Sequence, residues 1–149
     1  MIEILTKLFL RDLEKLKIEI SSFKDEKNIW EISGEIKNSS GNLCLHLCGN
    51  LQHFIGAMLG NSGYVRNRDA EFSRKDVPLK ELLTEIDNTT KAVEKTLKEL
   101  KEEKLEEIFP VNVFGYEMKT GFFLTHLATH LNYHLGQINY HRRLIDVIN

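Results

Sequence analysis

The sequence predicts an all-α protein, and three observations carry the prediction. Apolar residues recur at steps of three and four along several long stretches, which is the period of an amphipathic helix. No stretch shows the strong alternation of apolar and polar residues that marks a half-buried strand. The 149 residues include only two prolines and nine glycines, which leaves little room for disordered linkers. Together these features favour a bundle of four long helices.

The first helix is predicted over residues 2–24, followed by a polar connection over 25–38. Its apolar stripe comprises Leu5, Leu8, Phe9, Leu13, Leu16, Ile20 and Phe23. Ser39 or Ser40 can cap a second helix that runs to about Leu59, because serine is a favoured N-cap residue. The inward stripe of this second helix comprises Leu43, His46, Asn50, His53, Phe54 and Ala57.

The second half of the chain holds the other two predicted helices. Residues 61–77 form a loop, and a structureless loop of this length in a compact domain is often functional. Pro78 opens a third helix over about 78–103. Residues 106–119 are predicted as short extended pieces, and the fourth helix covers 121–147.

Length and composition exclude several classes of protein. We expect the whole chain, residues 1–149, to form a single domain with a core of its own. The net charge of −2 argues against a general nucleic-acid-binding protein, and no apolar run is long enough to span a membrane. Cys44 and Cys48 are too few for a disulfide framework and fit a reducing cytoplasm. Both lie opposite His46 on the helical wheel, so they are predicted to be inert.

The predicted fourth helix carries an unusual stripe of polar, metal-capable side chains. At 100° per residue, its members lie within about 40° of His130. They are His126, His130, His134, Gln137 and His141. Burying several unpaired imidazoles is costly, and neutral imidazole is the commonest metal ligand in proteins. The stripe therefore predicts that a metal ion holds some of these rings.

His130 and His134 are spaced one helical turn apart, so both can reach one ion. His46 lies on the inward stripe of the second helix and is the proposed third ligand. Three histidines with one open position are typical of catalytic rather than structural zinc sites. His126 forms a rival pair with His130, and His53 is about 10 Å from His46 along the helix. We expect both to line the pocket or to support the ligands.

His141 is about 16 Å from His130 along the helix and cannot join the same site. It lies near the end of the helix beside Arg142 and Arg143, where a cation suits the helix dipole. A structural role is therefore expected for it.

Three segments resemble the DinB/YfiT-like superfamily of metal-binding four-helix bundles. They are LCLHLCGNLQHFIG (43–56), YVRNRDAEF (64–72) and HLATHLNYHLGQINYHRR (126–143). The most specific piece is HxxxHxGQI, which begins at His130 and ends at Ile138. With the four-helix layout, the resemblance spans nearly the whole chain, and the first two segments suggest a subgroup whose activity is uncharacterised.

The resemblance implies a ligand set, a metal and a chemistry. It places the metal ligands at His46, His130 and His134 and implies a divalent ion, Zn or Ni above all, in a homodimer. Some members of the superfamily transfer the low-molecular-weight thiols bacillithiol, mycothiol or glutathione. We therefore expect a metal-dependent enzyme that activates a thiol for transfer to an electrophile. A metal-dependent hydrolase and a non-catalytic metal-binding or dimerisation module remain alternatives.

The remaining candidates surround the expected metal site. Asn50 and Gln137 can orient a ligand or a bound water, or they can bond to the backbone. In the 61–77 loop, an ion-pair cluster is expected to anchor the chain, or one of its arginines binds a substrate carboxylate. The cluster comprises Arg66, Arg68, Asp69 and Glu71. Glu71 is also the best candidate for a general base. The expected pocket is bounded by the second and fourth helices and the 61–77 loop, and Cys44 and Cys48 are placed near a dimer contact.

Overall fold

The computed structural model describes residues 1–148 and is helical throughout its regular structure, which confirms the predicted fold class. Its α-helices are α1 (Ile2–Ser21), α2 (Ser40–Leu51), α3 (Arg68–Ser73), α4 (Leu79–Glu99) and α5 (Thr120–Ile148). The predicted third and fourth helices are thus α4 and α5. None of the helices within residues 1–148 combines the length and the apolar character needed to cross a bilayer.

The four long helices form a ring in which α1 and α2 each pack against both α4 and α5. The predicted apolar stripe of α1 points inward, and its residues Leu5, Phe9, Leu13, Leu16 and Ile20 are buried. α5 contributes Phe123, Leu124, Leu127, Leu131, Leu135 and Ile138 to the same core. Burial of these side chains is the main favourable term in folding. It also brings the polar stripe of α5 against α2.

The predicted second helix changes its geometry before it ends. Ser39 caps α2, because its hydroxyl accepts a hydrogen bond from the backbone N–H of Asn42 at 3.1 Å. After Leu51 the chain continues as a π-helical turn over Gln52–Ala57. There the N–H of Met58 bonds to the carbonyl of His53, five residues back.

The predicted 61–77 loop is not structureless, because it contains the short helix α3. The side chain of Asn67 caps α3 by accepting a hydrogen bond from the N–H of Ala70, and Asp69 and Glu71 favour the positive end of the helix dipole. Six residues are too few for a hydrophobic period, so the pattern that predicts the long helices cannot detect this one.

The other boundaries differ from prediction by a few residues. α1 ends at Ser21 rather than 24, and a 3₁₀ turn, Glu26–Ile29, interrupts the connection that follows. α4 ends at Glu99, before a second 3₁₀ turn over Glu102–Glu106. The predicted extended pieces before α5 contain an antiparallel bridge between Ile108 and Lys119.

Every residue of α2 is buried, which explains its content of small side chains. A Cβ atom on Gly41 would lie 2.7 Å from the indole ring of Trp30, so a larger residue would collide with that ring. Cys44 and Cys48 are free thiols buried inside the core, where they pack as small apolar side chains. The protein's own helices cover both side chains, and their expected place near a dimer contact stays a prediction.

Candidate metal centre

The Nε2 atoms of His46, His130 and His134 converge between α2 and α5. The Nε2 atom of His130 lies 3.3 Å from that of His46 and 3.2 Å from that of His134. Among the described residues, these three side chains form a group whose ligand atoms all lie within 4.8 Å of one another and could hold a metal ion. The helices bring together the three residues that the sequence nominated.

The spacing of these nitrogens fits a divalent ion. Zinc–nitrogen bonds of 2.0–2.1 Å in tetrahedral geometry separate two nitrogens by roughly 3.3 Å. The contacts of 3.2 and 3.3 Å at His130 match this separation. Three imidazole nitrogens also form a donor set that zinc, nickel and copper accept. The residues present therefore fit a divalent metal.

Glu71 orients His46 from the far side of the ring. Its carboxylate Oε2 accepts a hydrogen bond from Nδ1 of His46 at 3.0 Å, which leaves Nε2 of His46 with its lone pair free. Arg66 donates to the same carboxylate through Nε at 2.6 Å and Nη2 at 2.9 Å. Burial raises the pKa of Glu71, but the hydrogen bonds from His46 and Arg66 outweigh it and lower the pKa below 4.5.

The predicted ion-pair cluster is confirmed only for Arg66 and Glu71. The guanidinium of Arg68 instead lies over the ring of Phe72, 5.3 Å from its centroid. Asp69 is exposed in the first turn of α3. Both carboxylate oxygens of Glu71 are engaged, so Glu71 is a poor candidate for a general base.

Gly49 and Asn42 are functional residues that the sequence analysis missed. A Cβ atom on Gly49 would lie 2.1 Å from Oε1 of Glu71, so only glycine leaves room for the carboxylate. The side-chain amide of Asn42 donates to the backbone carbonyls of Glu71 and Arg74, which fastens α3 to α2. The sequence signal for Gly49 was its position inside a helical pattern. A glycine there lowers the stability of the helix, so its presence indicates a packing reason.

Gln137 orients His134 in the same way. Its side-chain oxygen accepts a hydrogen bond from Nδ1 of His134 at 2.6 Å, and its amide nitrogen donates to the hydroxyl of Tyr133 at 3.2 Å. Nε2 of His134 is therefore also left with its lone pair facing the centre. Gln137 therefore holds the ring of His134, and its expected role in orienting a metal ligand stays a prediction.

His130 stands between the other two rings and is the most perturbed of the three. Burial is the main cause that lowers its pKa to about 4, and the neighbouring His134 and His46 add to it. Its Nδ1 atom is buried and has no hydrogen-bond partner among residues 1–148. At neutral pH the ring is uncharged, which is the form that binds a metal.

His53 and His126 lie outside the cluster, as expected. The ring of His53 packs against Phe54 at a centroid distance of 4.8 Å, and burial lowers its pKa. The ring of His126 lies 4.8 Å from that of Phe114 and 6.0 Å from that of His130. His126 therefore lies beside the cluster, whereas His53 packs against Phe54.

Asn50 and His141 differ from their predicted roles. The side-chain oxygen of Asn50 is buried and has no partner in the described chain, so it orients no ligand there. His141 is 5% exposed, and burial lowers its pKa. The interpretation of His141 as a cation on the helix dipole is therefore wrong, because burial favours its neutral form.

A cavity of about 510 Å³ opens beside His134. Its walls come from the connection 35–38, from Leu43 on α2 and from the second half of α5. The 61–77 loop does not line it, which corrects the expected boundary of the pocket. Residues of that loop line a smaller cavity of about 180 Å³ behind Glu71 and Gly49.

The arrangement provides three converging ring nitrogens, two of them in rings held by hydrogen bonds, and one of these rings, that of His134, also lines a cavity. Such a group could hold a metal ion. Comparison with curated proteins gave no match to the chain. A family model described as a protein of unknown function (DUF1572) matches residues 6–147. The chain therefore belongs to the DUF1572 family.

Proposed function

We propose that this protein is a DinB-like enzyme that binds one divalent metal ion through His46, His130 and His134 and activates a thiol. The convergence of three Nε2 atoms carries the proposal, because two of the rings are fixed with their lone pairs inward. The resemblance of segments 43–56, 64–72 and 126–143 to the DinB/YfiT-like superfamily supports it independently.

The chain's own residues prepare the site for this role. Glu71 and Gln137 hold His46 and His134 in the required tautomers, and Arg66 keeps Glu71 ionised. A divalent ion held by three neutral ligands keeps its full charge and lowers the pKa of a thiol or water that it binds. His134, which is half-buried, belongs to both the three-nitrogen cluster and the wall of the adjacent cavity.

Thiol S-transfer is preferred to hydrolysis because some members of the superfamily that the chain resembles transfer low-molecular-weight thiols. A divalent ion lowers the pKa of bound water as well as that of a bound thiol, so the engagement of Glu71 by Arg66 and His46 does not separate the two reactions. A catalytic role is preferred to a structural metal module because three imidazoles leave one coordination position free. Zn and Ni are the metals we propose.

The proposal is tested by loading the protein with Co²⁺ and titrating it with glutathione and with 2-mercaptoethanol. Thiolate ligation should produce intense charge-transfer absorption and release a proton on binding. Ethylene glycol, which has no sulfur, is the matched control and should leave the spectrum unchanged. If neither thiol alters the spectrum at millimolar concentration, the thiol-transfer proposal fails and the hydrolase or structural alternative takes its place.

We also propose that the protein is a homodimer. Besides the resemblance, apolar side chains on the outer face of α1, including Ile4 and Ile18, are more than half exposed. Light scattering at micromolar concentration should then give about twice the chain mass of 17.3 kDa. A mass near that of one chain would contradict this proposal without affecting the metal site.

A further inference from the structure

The cavity beside His134 is larger than a bound thiol and an ion require. Its volume of about 510 Å³ lies within the range of about 300–1,000 Å³ found for small-molecule sites. His134 and Gln137 belong to both the cavity wall and the metal centre. The cavity therefore adjoins one of the three proposed metal ligands, His134, together with the side chain that holds its ring.

The walls of the cavity are mostly apolar and include two aromatic rings. Ile36 and Leu43 form one side, while Tyr133, Tyr140 and Leu144 follow one another along α5. Tyr133 and Tyr140 are 64% and 78% exposed, so both rings have apolar surface left to bury. Exposed aromatic side chains beside a concave site are typical of ligand-binding surfaces.

The charges around the cavity indicate a neutral ligand. Glu35 and Lys37 lie at its edge with opposite signs, and both are exposed. The ring of His141 in the wall is kept neutral by burial. The lining thus offers no net charge to select an anion or a cation.

The length of the cavity follows from the helix that lines it. His134 and Leu144 are ten residues apart, which corresponds to about 15 Å along α5. A ligand that fills the cavity is therefore elongated, with one end near His134 and the other near Leu144.

We infer that this cavity binds an elongated, uncharged and largely apolar small molecule with an aromatic ring. Resting on the proposed function, we assign to this molecule the role of an electrophile, such as an epoxide or an activated alkene, to which the thiol adds. The C–S bond forms as the C–O bond or the C–C π bond breaks, the proton of the thiol passes to the oxygen or carbon released, and no group leaves. Tyr133, Tyr140 and Leu144 then determine specificity by contact with its apolar body. His134 marks the end at which its reactive group lies.

The test uses 4-phenylphenol as a neutral, elongated aromatic probe and the full chain labelled with ¹⁵N. Titration should shift backbone resonances of residues 35–38 and of α5 from Tyr133 to Leu144. The same titration is repeated after removal of metal with EDTA, because the apolar walls do not depend on the ion. In Co²⁺-loaded protein, paramagnetic broadening should be stronger for one ring of the probe than for the other.

Two matched variants locate the binding site. Leu144→Trp fills one end of the cavity and should weaken binding of the probe at least about tenfold, since one ring can no longer be buried. Ile108→Trp adds the same side chain at an exposed apolar position that lies neither in the cavity wall nor on the proposed dimer face of α1, and it should leave binding unchanged.

The outcomes separate this inference from the proposed function. Probe binding at these residues with no metal bound by the protein would support the cavity and refute the metal enzyme. Metal binding without probe binding, or probe binding equally weakened by both variants, would overturn the inference. If Leu144→Trp instead dissociates a dimer, this face contacts a second copy of the chain and the small-molecule site is refuted.

Discussion

The polar contact of α5 with α1 and its polar contact with α2 are built on opposite principles. On the α1 side every bond pairs a donor with an acceptor: Asp12 accepts from Asn132 at 3.1 Å, and Glu19 accepts from Arg142 at 2.8 Å. On the α2 side the lone pairs of His46 and His134 both point at the third ring, that of His130.

The difference shows how a structural polar contact can be told from a binding site. Buried polar groups are normally satisfied by the protein itself, as those between α1 and α5 are. Between α2 and α5 a single proton on Nε2 of His130 can serve only one of its two neighbours. A divalent cation satisfies all three nitrogens at once. Ring nitrogens that converge without a donor for each of them therefore identify a candidate binding site.

The largest expected effect comes from removing the central ring. His130→Ala should abolish stoichiometric metal, because it deletes a ligand that lies 3.2 and 3.3 Å from the other two. Asn132→Ala, which removes a partner of Asp12 on the α1 side, should keep one metal per chain. Elemental analysis of dialysed protein measures both. Full metal content in His130→Ala would mean that His126 or His53 is the true ligand.

Removing the carboxylate behind His46 should have the next largest effect. Glu71→Ala should weaken metal binding by about 10–100-fold, the usual cost of losing a group that orients a ligand. Glu19→Ala breaks the corresponding contact on the α1 side and should cost about 1–3 kcal/mol of stability with no change in metal affinity. Competition with a chelator and urea unfolding distinguish the two. Equal metal affinities would refute the role of Glu71.

Gly49→Ala should reproduce part of the loss of metal affinity expected for Glu71→Ala, although it alters no charged group. The added methyl would meet Oε1 of Glu71 at 2.1 Å and must displace the carboxylate from His46. We expect a loss of metal affinity smaller than that of Glu71→Ala. Gly136→Ala on α5 is the control, since its Cβ would meet no atom within 4 Å. That change should raise stability by up to about 1 kcal/mol and leave metal binding unchanged.

The smallest expected effect concerns His141. Its buried ring lies on α5 but takes part in neither the polar contact with α1 nor the one with α2. Burial lowers its pKa below 6.5 in the folded chain, so the unfolded chain binds its proton more readily. Its contribution to stability is present above pH 6.5 and is lost as the pH falls through the lowered pKa. In EDTA-treated protein, His141→Phe should therefore lose less stability on acidification than the parent chain does. Parallel stability curves would contradict this.

The local pattern of apolar residues predicted the long helices, because each of them buries a continuous apolar stripe. The period of that stripe is visible in the sequence. It missed α3 and the π-helical turn Gln52–Ala57, which are too short to show a period. It also missed the burial of His141, which is 5% exposed and shares a cavity wall with the connection 35–38 and with Leu43 of α2. Such surroundings are distant in sequence and leave no local signal.

By itself the sequence determined the helical fold and nominated His46, His130 and His134, because helical spacing places residues one turn apart on one face. Tertiary structure decided the rest. Packing of α2 against α5 brings His46 within 3.3 Å of His130, and the capped helix α3 presents Glu71 to His46 through the space left by Gly49. The spacing of residues along a helix fixes the directions in which their side chains point. The distances between helices depend instead on how the whole core packs.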